Sequence, residues 1–309
     1  MLRVENLRKD YPGLTALKGI SFHLDKGDVF GFIGPNGAGK TTTIKICATL
    51  LQPTAGTVYV DGLDVTRFTE EVRGLFGYMP DSFGVYDDLT VWEYLDFFSA
   101  AYHIPRARRR GIIEDVLELT DLGVKRDSYV EELSRGMKQR LCLAKTLVHD
   151  PKLLLLDEPA SGLDPRARIE IKELLRELGA MGKTILVSSH ILPELADFCN
   201  KIGIIEQGEL LLSGEVAEIM RAMRGGGKTL EITFAGDCEP ALPLLERLPG
   251  VKEVTRQEQV VLVQFTGEEV DNSAVLRLLL EAGLQVQSFT EGRVDLEDVF
   301  MRVTRGAVS

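Results

Sequence analysis

The sequence has few cysteines and almost no tryptophan, and its cysteines are not arranged for metal or redox chemistry. Its 309 residues include four cysteines and one tryptophan. No two of the cysteines lie at the close spacing of zinc or redox motifs. Each lies among apolar residues, so we predict four small core residues in a reducing, cytoplasmic compartment. They are Cys47, Cys142, Cys199 and Cys238.

Long apolar runs and an excess of positive charge are also missing. The longest apolar runs, such as Leu153–Leu156, fall far short of the ~18 residues of a transmembrane helix. The first residues, Met-Leu-Arg-Val-Glu-Asn-Leu, lack the features of a signal peptide. The formal net charge of −11 disfavours a nucleic-acid backbone as the main partner. We therefore expect a protein that neither spans a membrane nor binds nucleic acid.

A glycine-rich loop follows the apolar run Val29–Ile33 and precedes a predicted helix, Thr41 to about Leu51. The loop matches the P-loop pattern G-x-x-x-x-G-K-[ST], which binds the phosphates of a nucleoside triphosphate with its magnesium. Lys40 would contact the β and γ phosphates, and the Thr41 hydroxyl would bind the metal. Alone, the loop fits many kinds of NTPase. Its residues are Gly34, Pro35, Asn36, Gly37, Ala38, Gly39, Lys40, Thr41 and Thr42.

Two adjacent carboxylates follow another apolar run, Leu153–Leu156. In open α/β sheets, ligands gather at the carboxyl ends of the strands, so Asp157 and Glu158 are expected beside the P-loop. Asp157 can hold magnesium, and Glu158 can orient or polarise an attacking water. The alternative, a strand that ends in an ordinary polar turn, is disfavoured by the presence of the P-loop.

The order of predicted elements indicates two domains. Short β-rich runs alternate with helices over residues 1–224, which favours an α/β fold, and residues of about 89–148 form a mostly helical insert. Residues 225–228 are the predicted linker because three glycines interrupt the pattern there. Residues 229–309 are predicted as a small α+β domain with the ferredoxin-like order βαββαβ and a last helix, Leu296–Val303. Predicted strands include Leu2–Leu7 in the first domain and Thr229–Phe234 and Val260–Phe265 in the second.

The segment Leu133–Arg140 reads Leu-Ser-Arg-Gly-Met-Lys-Gln-Arg. Here the sequence resembles the ATP-binding cassette family, as the ATPase subunit of an ABC transporter, whose signature is Leu-Ser-Gly-Gly-Gln. Ser134 and Gly136 match, and the resemblance implies that both contact ATP held by the opposite subunit. Arg135 and Met137 depart from the consensus at its third and fifth positions.

Further family elements occur in the expected order. The resemblance implies that Tyr11 stacks on adenine, that Ser161–Asp164 contacts the partner subunit, and that His190 reaches the γ-phosphate. Asp81 stands where the family has a glutamine that approaches the metal and the attacking water. Aspartate keeps an oxygen donor but is shorter and charged, so its part at the metal stays open.

The resemblance implies a P-loop NTPase fold of the ABC type and a complete mechanism. Lys40, Glu158 and His190 would be the catalytic residues, with ATP and Mg²⁺ held between two subunits arranged head to tail. The chain would power transport through a separate integral-membrane permease, at the cytoplasmic face of the cell membrane. Its last part resembles the C-terminal extension of drug-exporter ATPases, which favours export.

A different class of function fits the same motifs. Soluble ABC ATPases remodel proteins or nucleoproteins without transport. Members that act on ribosomes usually carry two cassettes in one chain, and members that repair DNA have long coiled coils or zinc motifs. This sequence has one set of motifs and neither of those features, so transport is favoured.

Overall fold

The computed structural model describes residues 1–82, 84–191, 195, 197–223, 228–266, 271–292 and 304. They divide into two compact units, Met1–Val216 and a second unit that begins at Ala217. Of the predicted linker only Lys228 is described, and the predicted last helix lies outside the described residues. The domain boundaries at residues 225–228 therefore stay predictions. In the described part of the chain, no helix combines the length and apolarity needed to cross a membrane.

An antiparallel sheet begins the first unit. Its strands are β1 (Leu2–Tyr11), β2 (Leu14–Leu24), β4 (Ala55–Val60) and β5 (Leu63–Asp64), in the order β2-β1-β4-β5. Strand β1 runs beyond the predicted Leu2–Leu7 because its polar end pairs with β2 through Lys9 and Leu17. Leu2, Val4 and Leu7 of β1 face the core, and a register shift between Val4 and Leu7 interrupts the alternation of the strand.

A second sheet of six strands carries the P-loop. Its order is β10-β9-β3-β8-β7-β6, and only the edge strand β10 is antiparallel to its neighbour. All residues of the central strands β3, β7 and β8 are buried, as expected for a parallel sheet covered on both faces. The strands are β3 (Val29–Ile33), β6 (Phe76–Met79), β7 (Leu153–Leu156), β8 (Thr184–Ser189), β9 (Lys201–Glu206) and β10 (Glu209–Glu215).

The helices of this part of the chain begin at recognisable caps. The Thr90 and Glu93 side chains form a capping box at the start of α3, and Asp164 caps α6 just before Pro165. The predicted helical insert contains α3, α4 and α5. The helices are α1 (Lys40–Cys47), α2 (Thr69–Arg73), α3 (Val91–Ala101), α4 (Arg106–Leu119), α5 (Arg135–Leu147), α6 (Pro165–Ala180) and α7 (Val216–Met223).

The second unit has the predicted order βαββαβ and an antiparallel sheet of the order β12-β13-β11-β14. The small α+β fold of this region is thereby confirmed. Leu230, Ile232 and Phe234 alternate along its central strand and form a core with residues of the two helices. The elements are β11 (Thr229–Phe234), α8 (Leu242–Glu246), β12 (Val251–Gln257), β13 (Val260–Phe265), α9 (Asn272–Glu281) and β14 (Val286–Gly292).

The prediction that the four cysteines are core residues is confirmed, since all four are buried. Burial raises the pKa of the Cys47 thiol to about 12 and also raises the pKa of Cys142 and Cys199. The helix after the P-loop is shorter than predicted. It ends at Cys47 rather than near Leu51, because Thr49 adopts a left-handed backbone conformation with φ 60°.

Candidate active site

Four neighbouring strands end at the same edge of the parallel sheet. Register pairs join Ile33 to Ser189, Leu156 to Val187 and Met79 to Leu156. The residues just beyond these ends therefore lie along one edge, where ligands bind in open α/β sheets. They include the P-loop after β3, Asp81 after β6, Asp157 and Glu158 after β7, and His190 after β8.

The P-loop has no room for a side chain at its first position. A Cβ atom added to Gly34 would lie 2.1 Å from the carbonyl oxygen of Ile205. Gly39, directly before α1, has φ 112°, a conformation that favours glycine. Lys40 is 5% exposed, and its Nζ donates to the carbonyl oxygens of Gly34 at 2.7 Å and Pro35 at 3.2 Å. The lysine is thus folded back over its own loop.

The middle of the loop is open to solvent. Pro35, Asn36 and Gly37 are exposed, whereas Ala38 is buried. Thr41 is exposed and Thr42 is half-buried in the first turn of α1. This first turn has backbone N–H groups without partners in the helix, and the helix dipole favours anions there. The nucleotide contacts of these loop residues remain predictions.

Asp157 is a buried carboxylate with one unused oxygen. The side chain is 1% exposed, and its Oδ1 accepts a hydrogen bond from Ser188 Oγ at 2.8 Å. Within the described part of the chain, its Oδ2 has no hydrogen-bond partner. Burial raises the pKa of Asp157, the Ser188 and Thr41 side chains lower it, and the charges of Asp81 and Glu158 raise it further. A cation bound to Oδ2 would stabilise the charged form of Asp157 and so offset the effect of burial.

Glu158 is held from both sides. Its Oε1 lies 3.2 Å from Lys40 Nζ, and its Oε2 lies 2.8 Å from His190 Nδ1. A carboxylate can only accept, so Nδ1 of the imidazole is the donor in this contact. The backbone of Glu158 has φ 51°, and its N–H donates to Ser188 Oγ at 3.0 Å. The structure therefore brings the three predicted catalytic residues into direct contact.

Asp81 lies in the exposed turn after β6. Its charge acts on two neighbouring groups. Burial, together with the charges of Asp157 and Asp81, raises the pKa of Tyr78 to about 12. The raised pKa of Asp157 also reflects the Asp81 charge. Asp81 is thus within electrostatic range of the carboxylates, and its metal contact remains a prediction.

The signature residues lie at the start of α5. Ser134 caps this helix, and its Oγ accepts from the Met137 N–H at 3.3 Å. Gly136 faces α6, where an added Cβ would lie 2.9 Å from the Ala167 Cβ. The Arg135 guanidinium packs against Gly162. The described contacts of Ser134 and Gly136 do not include the P-loop of the same chain, so their contact with ATP stays a prediction.

Tyr11 lies at the end of β1, where it pairs with Leu14. Its ring is partly exposed, and Lys9 Nζ lies 5.2 Å from the ring centroid. The structure gives no contact between Tyr11 and the P-loop among the described residues. Its predicted stacking on adenine is therefore a proposal that the geometry leaves untested.

Two residues of the site were missed by the sequence analysis. Ser188 binds both Asp157 and the backbone of Glu158, and Gln139 on α5 donates from its side chain to the Pro159 carbonyl. The signal for Ser188 is positional, since the residue before it pairs with Leu156 at the end of β7. It becomes visible only when the neighbouring strands are known. Gln139 lies two residues beyond the five-residue signature, so the resemblance assigned it no role.

Two family models match the chain. The one described as "ABC transporter" matches residues 17–161, and the one described as "ATP-binding protein DrrA1-3-like, C-terminal domain" matches residues 214–304. The chain is 33% identical over 307 residues to "Linearmycin resistance ATP-binding protein LnrL" of Bacillus subtilis (strain 168), covering 98% of each chain. It is 32% identical to "Daunorubicin resistance ATP-binding protein DrrA3" of Streptomyces coeruleorubidus, covering 98% of this chain and 95% of that one.

Further similarity is found to "Nod factor export ATP-binding protein I" of Paraburkholderia xenovorans (strain LB400), with 36% identity over 98% of this chain and 96% of the relative. Among solved structures, an "ATP binding subunit of ABC transporter" matches with a TM-score of 0.65 and 31% identity, over 72% of this chain and 93% of that one. A dimeric post-hydrolysis cassette bound to ADP and Pi matches with a TM-score of 0.63 and 26% identity, over 70% and 99%.

Proposed function

We propose, since this chain belongs to the family of ABC transporter ATP-binding proteins, that its P-loop, Asp157, Glu158 and His190 form one hydrolytic site of a two-subunit motor. The chain is an ATP-binding and ATP-hydrolysing subunit that powers export. The observation that carries the assignment of the site is the position of Glu158, which contacts Lys40 through one oxygen and His190 through the other.

Each catalytic side chain has a role that follows from its contacts. Lys40 now donates to carbonyls of its own loop, and phosphate oxygens would replace these partners. Release of Lys40 frees Glu158 Oε1, which can then accept a proton from the attacking water. His190 keeps its hydrogen bond to Oε2 and so holds the carboxylate in one orientation. His190 is also proposed to contact the γ-phosphate.

Three residues are proposed to hold magnesium. When bound, Mg²⁺ neutralises the charge of the β and γ phosphates and orients them. Asp157 offers the buried Oδ2, which has no hydrogen-bond partner among the described residues, and the Thr41 side chain approaches the same carboxylate. Asp81 adds a third oxygen donor within electrostatic range and is expected to act through water, since its side chain is short. The oxygen-only donor set fits a hard divalent cation.

A second subunit is proposed to complete the site. Ser134 caps α5 and Gly136 packs against α6, and the described contacts of neither residue include the P-loop of this chain, so both can serve ATP held by another chain. The solved dimeric cassette supports this arrangement. The second subunit is a copy of this chain or a close relative. Tyr11 is proposed to stack on the adenine of the ATP held by its own P-loop.

An integral-membrane subunit is proposed as the other partner. The aromatic patch, formed by Tyr86, Phe97 and Phe98, exposes 53% of Tyr86 and 49% of Phe97. Exposed clusters of large apolar side chains mark protein contacts. A membrane subunit docked here would place this chain at the cytoplasmic face of the cell membrane. The resistance and export functions named for its relatives support export as the direction.

Two measurements test the proposal. The full-length chain should hydrolyse ATP, and Lys40→Ala should weaken nucleotide binding in a direct titration by on the order of 10-fold or more, as expected for loss of a charge-assisted contact. Equal affinity would contradict the P-loop assignment.

Purification from detergent-solubilised membranes should recover an integral-membrane subunit in a fixed ratio. Recovery of the chain alone, with full ATPase activity, would favour a soluble remodelling ATPase instead.

A further inference from the structure

The backbone around Glu158 is fixed on both sides. The Glu158 N–H donates to Ser188 Oγ at 3.0 Å, and the Ser161 N–H donates to the Glu158 carbonyl at 3.0 Å. Glu158 itself has φ 51°, a conformation that side chains other than glycine, asparagine and aspartate adopt rarely. Such a conformation persists only when the surroundings determine it strongly. The contacts of the adjacent residues therefore fix the backbone from which the Glu158 side chain extends toward Lys40 and His190.

The next residue, Pro159, is held by helix α5. The Gln139 side chain is 1% exposed, and its Nε2 donates to the Pro159 carbonyl oxygen. This bond joins the helix that begins with the signature to the Pro159–Ala160 peptide unit, one residue beyond Glu158. Proline has no N–H, so its carbonyl is the only hydrogen-bonding group of that residue. Removal of the Gln139 amide would leave this buried acceptor without its partner.

The same face of α5 makes two further contacts with this segment. The Arg135 guanidinium fills the space above Gly162, where a Cβ atom would lie 2.2 Å from Nη2. Gly136 packs closely against Ala167 at the start of α6. Residues three or four positions apart share one side of a helix, so Arg135, Gly136 and Gln139 form a continuous strip. The strip contacts the segment from Pro159 to Ala167. Its most buried member, Gln139, lies at the end of that segment nearest to Glu158.

We infer that Gln139 is a positioning residue for Glu158: it couples the signature helix to the catalytic carboxylate of the same chain. When the signature of one subunit closes on ATP held by the other, a shift of α5 reaches the chain's own Glu158 through the Gln139–Pro159 bond. This inference rests on the proposed function, because it needs Glu158 to be the group that activates water. It gives Gln139 no contact with ATP and hence no part in binding it.

The test compares two conservative variants of Gln139 with a matched control. Gln139→Met keeps the length of the side chain but has no amide donor, and Gln139→Asn ends one methylene short of the Pro159 carbonyl. The control is Thr146→Val, which removes another buried side-chain donor from α5. Thr146 Oγ1 donates to the Leu143 carbonyl at 2.7 Å within the same helix and does not reach the Glu158 segment.

Turnover and affinity should separate in the Gln139 variants. Misplacement of a catalytic group by about 1 Å can cost up to about 100-fold, so we expect kcat of the full-length chain to fall between about 10-fold and 100-fold. The Kd for ATP should stay within about 2-fold of the wild type, because Gln139 does not contact the P-loop. Thr146→Val should keep both values. Wild-type kcat in either soluble, ATP-binding Gln139 variant would overturn the inference.

A double-mutant cycle excludes a purely structural role. In a Glu158→Gln background, Gln139→Met should change the residual single-turnover rate by less than about 2-fold, because the group it positions is already gone. Its effect on thermal unfolding should be the same in both backgrounds. A full additional loss of rate would mean that Gln139 acts independently of Glu158. If the wild-type chain has no ATPase activity, the proposed function is refuted. If the wild type hydrolyses ATP but the Gln139 variants keep its kcat, only the coupling is refuted.

Discussion

Lys40 and Glu158 form an ion pair inside the site, with 3.2 Å between Nζ and Oε1. The pair joins the residue expected to bind phosphate with the residue expected to activate water. Both side chains are almost fully buried, so neither charge is well solvated by water. ATP and Glu158 therefore compete for the same ammonium group, and phosphate binding releases the carboxylate for its catalytic role.

Glu158→Gln should separate ATP binding from hydrolysis. Loss of the general base is expected to lower kcat by about 10² to 10⁴-fold. The affinity for ATP should not fall, because Lys40 loses a competing anionic partner. Isothermal titration with ATP and a phosphate-release assay give the two values. Glu173→Gln, an exposed substitution on α6, is the control and should leave both unchanged. Retained hydrolysis in Glu158→Gln would remove Glu158 from its role.

Asp157→Asn should raise the melting temperature of the nucleotide-free protein at neutral pH. The pKa of Asp157 is raised by burial, so the folded state holds this proton more tightly than the unfolded chain. The group's contribution to stability is fully present below the unfolded pKa of about 3.9 and is lost as pH rises through the raised pKa. The gain from asparagine should therefore shrink as the pH falls. Thermal unfolding between acidic and neutral pH measures it.

The same substitution should raise the Mg²⁺ concentration needed for half-maximal ATP turnover, because asparagine removes the negative charge of one of the three side chains proposed to hold the metal. Titration of Mg²⁺ in an ATPase assay is the measurement, with the wild type as reference. A variant that responds to Mg²⁺ as the wild type does would show that Oδ2 of Asp157 has another use. In the unfolding experiment, a lower melting temperature of Asp157→Asn than of the wild type at neutral pH would contradict the inference that the buried carboxylate destabilises the nucleotide-free protein.

Ser188→Ala should affect both carboxylates at once. The hydroxyl donates to Asp157 Oδ1 and accepts from the Glu158 N–H, so alanine removes one hydrogen-bond partner from each of these two groups. We expect a loss of about 1 to 3 kcal/mol in the free energy of unfolding. Urea denaturation at neutral pH measures this loss, and turnover should fall with it. Ser273→Ala on α9 is a control outside the site, and unchanged stability in Ser188→Ala would contradict the assignment.

Gly34→Ala should destabilise the chain through a steric contact. The added Cβ would lie 2.1 Å from the Ile205 carbonyl, which belongs to the neighbouring strand β9 and cannot rotate away. Overpacking of this kind costs typically about 1 to 3 kcal/mol. Gly74→Ala is the matched control, because its nearest atom would be 3.6 Å away. Chemical denaturation should show a lower midpoint for the first variant and little change for the second.

The sequence predicted elements best where a continuous apolar run was bounded by turn residues. Strands Leu153–Leu156, Thr229–Phe234 and Val260–Phe265 match at both ends. Strand β6 was missed because it has four residues and contains Gly77. That glycine has a packing reason: an added Cβ would lie 2.4 Å from the Thr146 carbonyl. Such a contact depends on a helix about 70 positions away, which no local pattern contains.

The site follows the same division. Lys40, Asp157 and Glu158 belong to short motifs that carry their chemistry in consecutive residues, so they were predicted. Ser188 and Gln139 carry out their roles through residues that lie 30 and 20 positions away in the chain. Their identity as serine and glutamine is unremarkable in isolation. The hydrogen-bond partners of Ser188 and Gln139 become evident only when the register of β7 with β8 and the packing of α5 are known.

Because its four cysteine thiols are buried, the native protein should not react with maleimide reagents. Thiolate is the reactive form, and burial keeps the thiols of Cys47, Cys142 and Cys199 protonated. Cys238 is 1% exposed and donates to the Glu258 carbonyl. A single cysteine introduced at the surface can therefore carry a fluorophore without removal of the native ones. Paired labels would then report the distance between two subunits as ATP is added and consumed.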